Sequence, residues 1–132
     1  MSARQPLPNR RPCIHRTFKY RGRTYHASFG LYPDSGKVGD VWLYGPKIGS
    51  EMNAQLVDTC IGHSRSLQHG DDAHSMARGL GTDEQGKPIS VLGWLMLFAA
   101  EEDEIAAEEL RVNGIQKPQP PPRKVARCKR TR

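Results

Sequence analysis

The segment of this chain best suited to chemistry is Lys47-Ile48-Gly49-Ser50. Its serine is a good helix N-cap, and Glu51 behind it suits the first turn of a helix. A helix start presents free backbone N–H groups and the positive end of the dipole, which together attract anions. Gly49 would let a phosphate approach the backbone, and Lys47 would add a charge. Lys47, Gly49 and Ser50 are therefore the candidate anion- or nucleotide-binding residues. The structural alternative is that Gly49 turns the chain from strand to helix and Ser50 caps it, with only water bound. The segment lacks the glycine spacing and the Lys-Ser/Thr pair of a Walker loop.

Other chemistries find less footing. Cys60 and His63 are three apart and would share a helix face, with His69 and His74 following; Cys13 and His15 would share a strand face. A structural zinc needs about four ligands at close spacing, and these spacings match no such pattern. Cys60 also falls on an apolar stripe, the usual place for an inert buried thiol. No metal and no catalytic residue is assigned. No Gly-x-Ser-x-Gly elbow is present. The paired carboxylates Asp71-Asp72 and Glu101-Glu102 read as a helix cap and a solvated acidic face.

The elements that hold these residues follow from periodicity. Phe18 and Tyr20, then Tyr25, Ala27, Phe29 and Leu31, alternate with period two around an Arg21-Gly22-Arg23 turn, which predicts a β-hairpin. Pro33 to Gly36 is a turn, and Val38 to Tyr44 is a third strand, apolar on both faces. Trp42 and Tyr44 share one of those faces, and if no helix covers it they form a patch for a partner. Met52, Leu56, Val57, Cys60, Ile61, Ser64 and Leu67 repeat at helical spacing from Ser50 to a C′ glycine at Gly70. A short helix follows Asp72. Ser90 caps a third helix, apolar through Ala100 and acidic from Glu101 to Arg111. The expected fold class is α+β: a small three-stranded antiparallel sheet packed on about three helices.

Charge divides the chain into three parts. Residues 1–23 hold seven Lys/Arg and no acid, residues 117–132 hold seven more and again no acid, and all fourteen acids lie between. The expected organisation is a basic disordered arm at 1–11, an α+β domain at 12–113 and a Pro-rich basic disordered tail at 114–132. Arg and Pro interleaved in the tail suit a flexible arm with salt-dependent affinity for phosphates. Cys13, Cys60 and Cys128 are odd in number and widely spaced, which gives no disulfide framework. With no apolar signal segment and no apolar run long enough to span a bilayer, a reducing, cytoplasmic setting without membrane contact is expected.

Residues 12–100 resemble the TSCPD domain, found near the C-terminus of cobalamin-dependent ribonucleotide reductases and alone in short bacterial and phage proteins. The resemblance runs through the hairpin at Tyr25 to Gly30, the Asp34-Ser35-Gly36 turn and the strand Val38 to Leu43. It continues in Lys47-Ile48-Gly49-Ser50 and in the helix end Ser66-Leu67-Gln68-His69-Gly70. The letters Thr-Ser-Cys-Pro-Asp are absent, as are the reductase barrel, its cysteines and its cobalamin site. Cys128 stands alone where such reductases carry paired tail thiols, so it supports no self-contained disulfide shuttle.

The resemblance implies a stand-alone reductase-associated module without its own catalytic machinery, serving deoxyribonucleotide synthesis or its regulation. It would bind a reductase or a nucleotide, and cobalamin would belong only to a full-length reductase partner. The alternative is a small basic nucleic-acid-associated or regulatory interaction protein, using its basic tails.

Overall fold

The structure is a computed structural model that describes residues 3–45, 49–113 and 126–127. Strand β1 (Pro12–Tyr20) and β2 (Arg23–Leu31) form the expected hairpin, and β3 (Val38–Tyr44) pairs with β2. Arg21 and Gly22 close the hairpin, both at positive φ (53° and 77°). That combination matches the twist of the flanking strands. A two-residue strand β4 (Ala126–Arg127) adds to β1 opposite Pro12 and Cys13, giving the antiparallel order β3-β2-β1-β4.

Helix α1 (Glu51–Gln68) begins where Ser50 accepts the Asn53 N–H on its side chain. It ends at Gly70 (φ 103°), with Gly70 N–H donating to Leu67 and Asp71 N–H donating to Ser66. These are the two carbonyls that a Schellman end satisfies. Asp72 caps α2 (Ala73–Gly79). Ser90 accepts from Gly93 N–H at the start of α3 (Val91–Asn113).

The alternation in the strands sorts side chains between two faces. Ile14, Tyr25, Ala27, Phe29, Leu31, Val41 and Leu43 point into one core with Leu56, Cys60 and Leu67 of α1 and Leu95, Met96, Ala99 and Ala100 of α3. The helices thus cover one face of the sheet, as the α+β reading requires. Phe98 of α3 meets Phe18 edge-on at 5.0 Å between ring centres, which seats α3 beneath β1.

Three expectations change. The Glu101-Glu102 pair is not a wholly solvated face: Glu102 is buried and pairs with Arg16 at 3.0 Å, while Arg16 also reaches Glu101 and lies over the Phe98 ring. α3 crosses beneath β1, so one side of its acidic half faces the sheet. Residues 3–11, expected in a disordered arm, hold defined contacts. Gln5 N–H and the Arg4 guanidinium both donate to Gln68 at the end of α1, and Arg11 pairs with buried Asp40 at 2.7 Å. The carbonyls and amide exposed at a helix end give the arm its partners. Finally, Cys13 is disulfide-bonded. Cys60 is free, and the sequence has one further cysteine, Cys128, which follows β4. The pairing of β4 beside Cys13 brings together positions that sequence spacing keeps far apart. The C-terminal tail is otherwise outside the described residues.

Candidate functional site

Gly49 and Ser50 stand where the sequence places them, at the start of α1; Lys47 lies outside the described residues. Gly49 has φ 90°, and a side chain there would meet open space. The positive φ, rather than crowding, favours glycine at that point. The Ser50 hydroxyl is engaged as a cap at 3.1 Å from Asn53 N. Asn53 Oδ1 in turn accepts the Gly45 N–H at 3.1 Å, tying the end of β3 to the first turn of the helix.

That bond is the first rung of a ladder along β3. The Cys60 thiol is hydrogen-bonded to the Leu43 backbone. Ser64 Oγ accepts from Val41 N–H at 2.9 Å and donates to Val41 C=O at 3.2 Å. Gln68 Nε2 donates to Gly39 C=O at 3.1 Å. Every second strand residue meets a helix residue, and from Cys60 to Gln68 the helix step is four. The match is geometric: four helical residues rise about 6.0 Å, and two strand residues about 6.6 Å. At the far end of β3, Asp103 of α3 accepts the Val38 N–H at 2.8 Å. Burial raises the Asp103 pKa, while the Val38 N–H and Lys37 lower it.

The ladder takes up one of the metal candidates, Cys60. Cys60 is fully buried, and burial pushes its thiol up to about 12. His63 is half-buried, and its pKa is lowered, chiefly by burial. Cys13 and His15 do share a strand face, but the Cys13 sulfur is committed to a disulfide. His74 bonds Glu104 at 2.7 Å across α2 and α3. Among the described residues, no group of three or more His, Cys, Asp or Glu is placed to hold a metal.

The second feature is the sheet face that no helix covers among the described residues. The register aligns His15, Ser28 and Trp42 in one cross-strand row and Thr17, His26 and Tyr44 in the next, with Lys19 opposite Thr24 beyond them. His15, Thr17, Lys19 and His26 are exposed; Thr24, Ser28, Trp42 and Tyr44 are half-buried. Thr17 Oγ1 lies 3.2 Å from His26 Nδ1. At one end the face closes over Asp40, which accepts the Gly30 N–H at 2.8 Å and pairs with Arg11. A Cβ on Gly30 would collide with the Asp40 carboxylate, so only glycine fits there. Periodicity alone assigns Trp42 and Tyr44 to one strand face and makes them a patch only if no helix covers it. It did not join them to His15, Lys19 and His26, although the polar residues alternating with the core positions were the available signal.

Charge follows the same division. Glu101, Glu104, Glu108 and Glu109 belong to α3, and Asp71 and Asp72 precede α2, all on the helical layer. Pro12 and Cys13, at the end of the basic arm, pair with Arg127 and Ala126, which sit within the basic tail segment. The two basic arms therefore meet the sheet at one corner. No protein-family model matches the chain, and no curated protein or solved structure does so either.

Proposed function

We propose that this chain is a small binding module that associates with nucleic acid, its basic arms supplying electrostatic affinity for phosphates. The observation that supports the reading best is the seating of β4 against Pro12 and Cys13. It brings to one corner of the sheet the end of the acid-free arm 1–11, with Arg4, Arg10 and Arg11, and the acid-free segment 117–132, with seven cations, while six acids lie on α3. A polyanion approaching such a molecule is drawn to the sheet corner and repelled by α3. The test is a titration of labelled DNA across a salt series, with the wild-type chain and a chain whose seven cations in 117–132 are replaced by Gln. The logarithm of affinity falls linearly with the logarithm of salt, and the slope becomes shallower in the Gln chain. Binding that ignores salt, or no binding, overturns the reading.

The reductase-associated reading retains one support, the α1 frame capped by Ser50 and stopped at Gly70. In that reading the partner is a reductase or a nucleotide, and the segment Lys47 to Ser50 receives the phosphate. Calorimetry with ATP, dATP and ribonucleoside diphosphates tests it. Lys47→Ala is the cleaner probe, because Ser50→Ala also removes a cap worth about 1 kcal/mol. No heat with any nucleotide removes the anion site. A cytoplasmic setting belongs to the same proposal. Disulfides are rare in reducing compartments, so trapping the Cys13 thiol state directly from cells tests that part.

A further inference from the structure

We infer that the uncovered sheet face binds single-stranded nucleic acid, with bases stacking on Trp42 and Tyr44 and with Lys19, His26 and His15 contacting the strand's polar groups. This rests on the nucleic-acid reading above and names the form of nucleic acid it takes.

Trp42 and Tyr44 are two residues apart on β3 and point to the same side, so their rings are spaced by about 6.6 Å along the strand. Among the described residues neither ring has an aromatic partner, whereas Phe18, Tyr20, Tyr25, Trp94 and Phe98 all do. The two rows that hold them carry imidazole and hydroxyl groups on the neighbouring strands. Half-buried aromatic rings flanked by small polar groups, on a sheet face that no helix covers among the described residues, match what an unstacked base requires: a π-face and donors or acceptors at its edges.

Charge selects the occupant. Among the described residues of these strands Asp40 is the acid on this face, and it pairs with Arg11 at 2.7 Å, whereas Lys19 is exposed. The basic arm and β4 meet the sheet at Cys13, beside His15 in the first row. A backbone of phosphates crossing the rows is thus anchored at its flank. Duplex fits less well. The described residues place no helix or ribbon on this side to enter a groove, and a duplex keeps its base faces inside the stack.

The test uses the full chain, with a fluorescein-labelled twelve-nucleotide single strand of mixed sequence and the matching duplex, at one salt concentration. Trp94→Phe leaves Trp42 as the tryptophan reporter. The expected result is single-strand binding at least tenfold tighter than duplex, with quenching of Trp42 fluorescence. Trp42→Leu, which keeps apolar volume and removes the π-face, weakens single-strand binding about tenfold, and Tyr44→Leu weakens it in the same direction. Circular dichroism checks that each variant is folded, and Tyr44→Leu decides the matter if Trp42→Leu is not. Equal, salt-sensitive binding of both forms, unchanged in folded variants, overturns the stacking inference and leaves the nucleic-acid reading standing. No binding of either form overturns both. Trp42-dependent self-association in sedimentation, without nucleic-acid binding, assigns the face to a second copy and likewise overturns the inference.

Discussion

Replacing Ser64 with alanine separates two physical accounts of α1. On helix propensity alone the change stabilises, because alanine is the better helix former by about 0.5 kcal/mol. On the ladder account it destabilises. Ser64 Oγ serves both polar groups of Val41, at 2.9 and 3.2 Å, and both residues are buried. Alanine leaves an N–H and a C=O in the interior without their partner, each costing about 1–3 kcal/mol. Subtracting the propensity gain leaves a net loss of about 1.5–5.5 kcal/mol. For a domain of this size each kcal/mol lowers Tm by roughly 4–8 °C. Urea unfolding of wild type, Ser64→Ala and the control Ser66→Ala measures it, with the control expected within about 0.5 kcal/mol of wild type. Hydrogen exchange adds a local readout: the Val41 amide loses protection beyond the global change. A Ser64→Ala protein as stable as wild type, with Val41 still protected, refutes the ladder.

Further outcomes follow from other buried groups. Arg11→Ala strands the Asp40 carboxylate in the protein and costs about 3 kcal/mol in denaturant unfolding. Adding Asp40→Asn to it recovers part of that loss, and a purely additive double mutant contradicts the pairing. Ellman's reagent at pH 8, followed by peptide mapping, leaves Cys13 and Cys60 of the native oxidised protein unlabelled, because Cys13 is bonded and the buried Cys60 thiol sits at about 12. Cys60 reacts after unfolding without reductant, and Cys13 only after reduction; rapid labelling of either in the native chain contradicts this. Asp103 titrates higher in the folded chain than in the unfolded one, so the folded state binds more protons above the unfolded value. Its contribution to stability therefore falls as pH rises from the ordinary aspartate range through the folded pKa. Asp103→Asn removes that fall, so the mutant gains on wild type as pH rises. A difference that stays flat with pH contradicts the burial.

Local periodicity made the elements legible. Phe18, Tyr20, Tyr25 and Phe29 alternate because a hairpin packed on one side imposes that pattern, and Ser50 and Gly70 mark the ends of α1 by their backbone roles. What escaped depends on contacts distant in sequence. Ser64 and Gln68 were readable as members of a helix stripe, but nothing local reveals that their polar atoms complete a strand edge. The two residues of β4 pair with Pro12 and Cys13, far away in sequence, and so short a strand has no period to detect. Strand β3 is apolar on both faces, so the side left to Trp42 and Tyr44 was fixed only when α1 chose the other. For the candidate site, Gly49 and Ser50 were placed correctly in the fold. The polar residues His15, Lys19 and His26 acquired meaning only through strand register.

The ladder on β3 also limits how copies of this chain can assemble. An exposed strand edge is a template for another strand, and a sheet with two such edges can grow without end. Here the β3 edge is occupied by side chains of α1 and by Asp103. On β1, among the described residues, Pro12 and Cys13 are the positions paired with an outer strand, so Ile14 to Tyr20 remain as the edge that can accept one. Two copies joined through β1 would each turn a closed β3 edge outward. Growth through the sheet would stop at that pair, because the symmetry that joins them uses up the free edge on both sides. A helix that finishes a strand with its side chains thus sets a ceiling of two on edge-to-edge assembly.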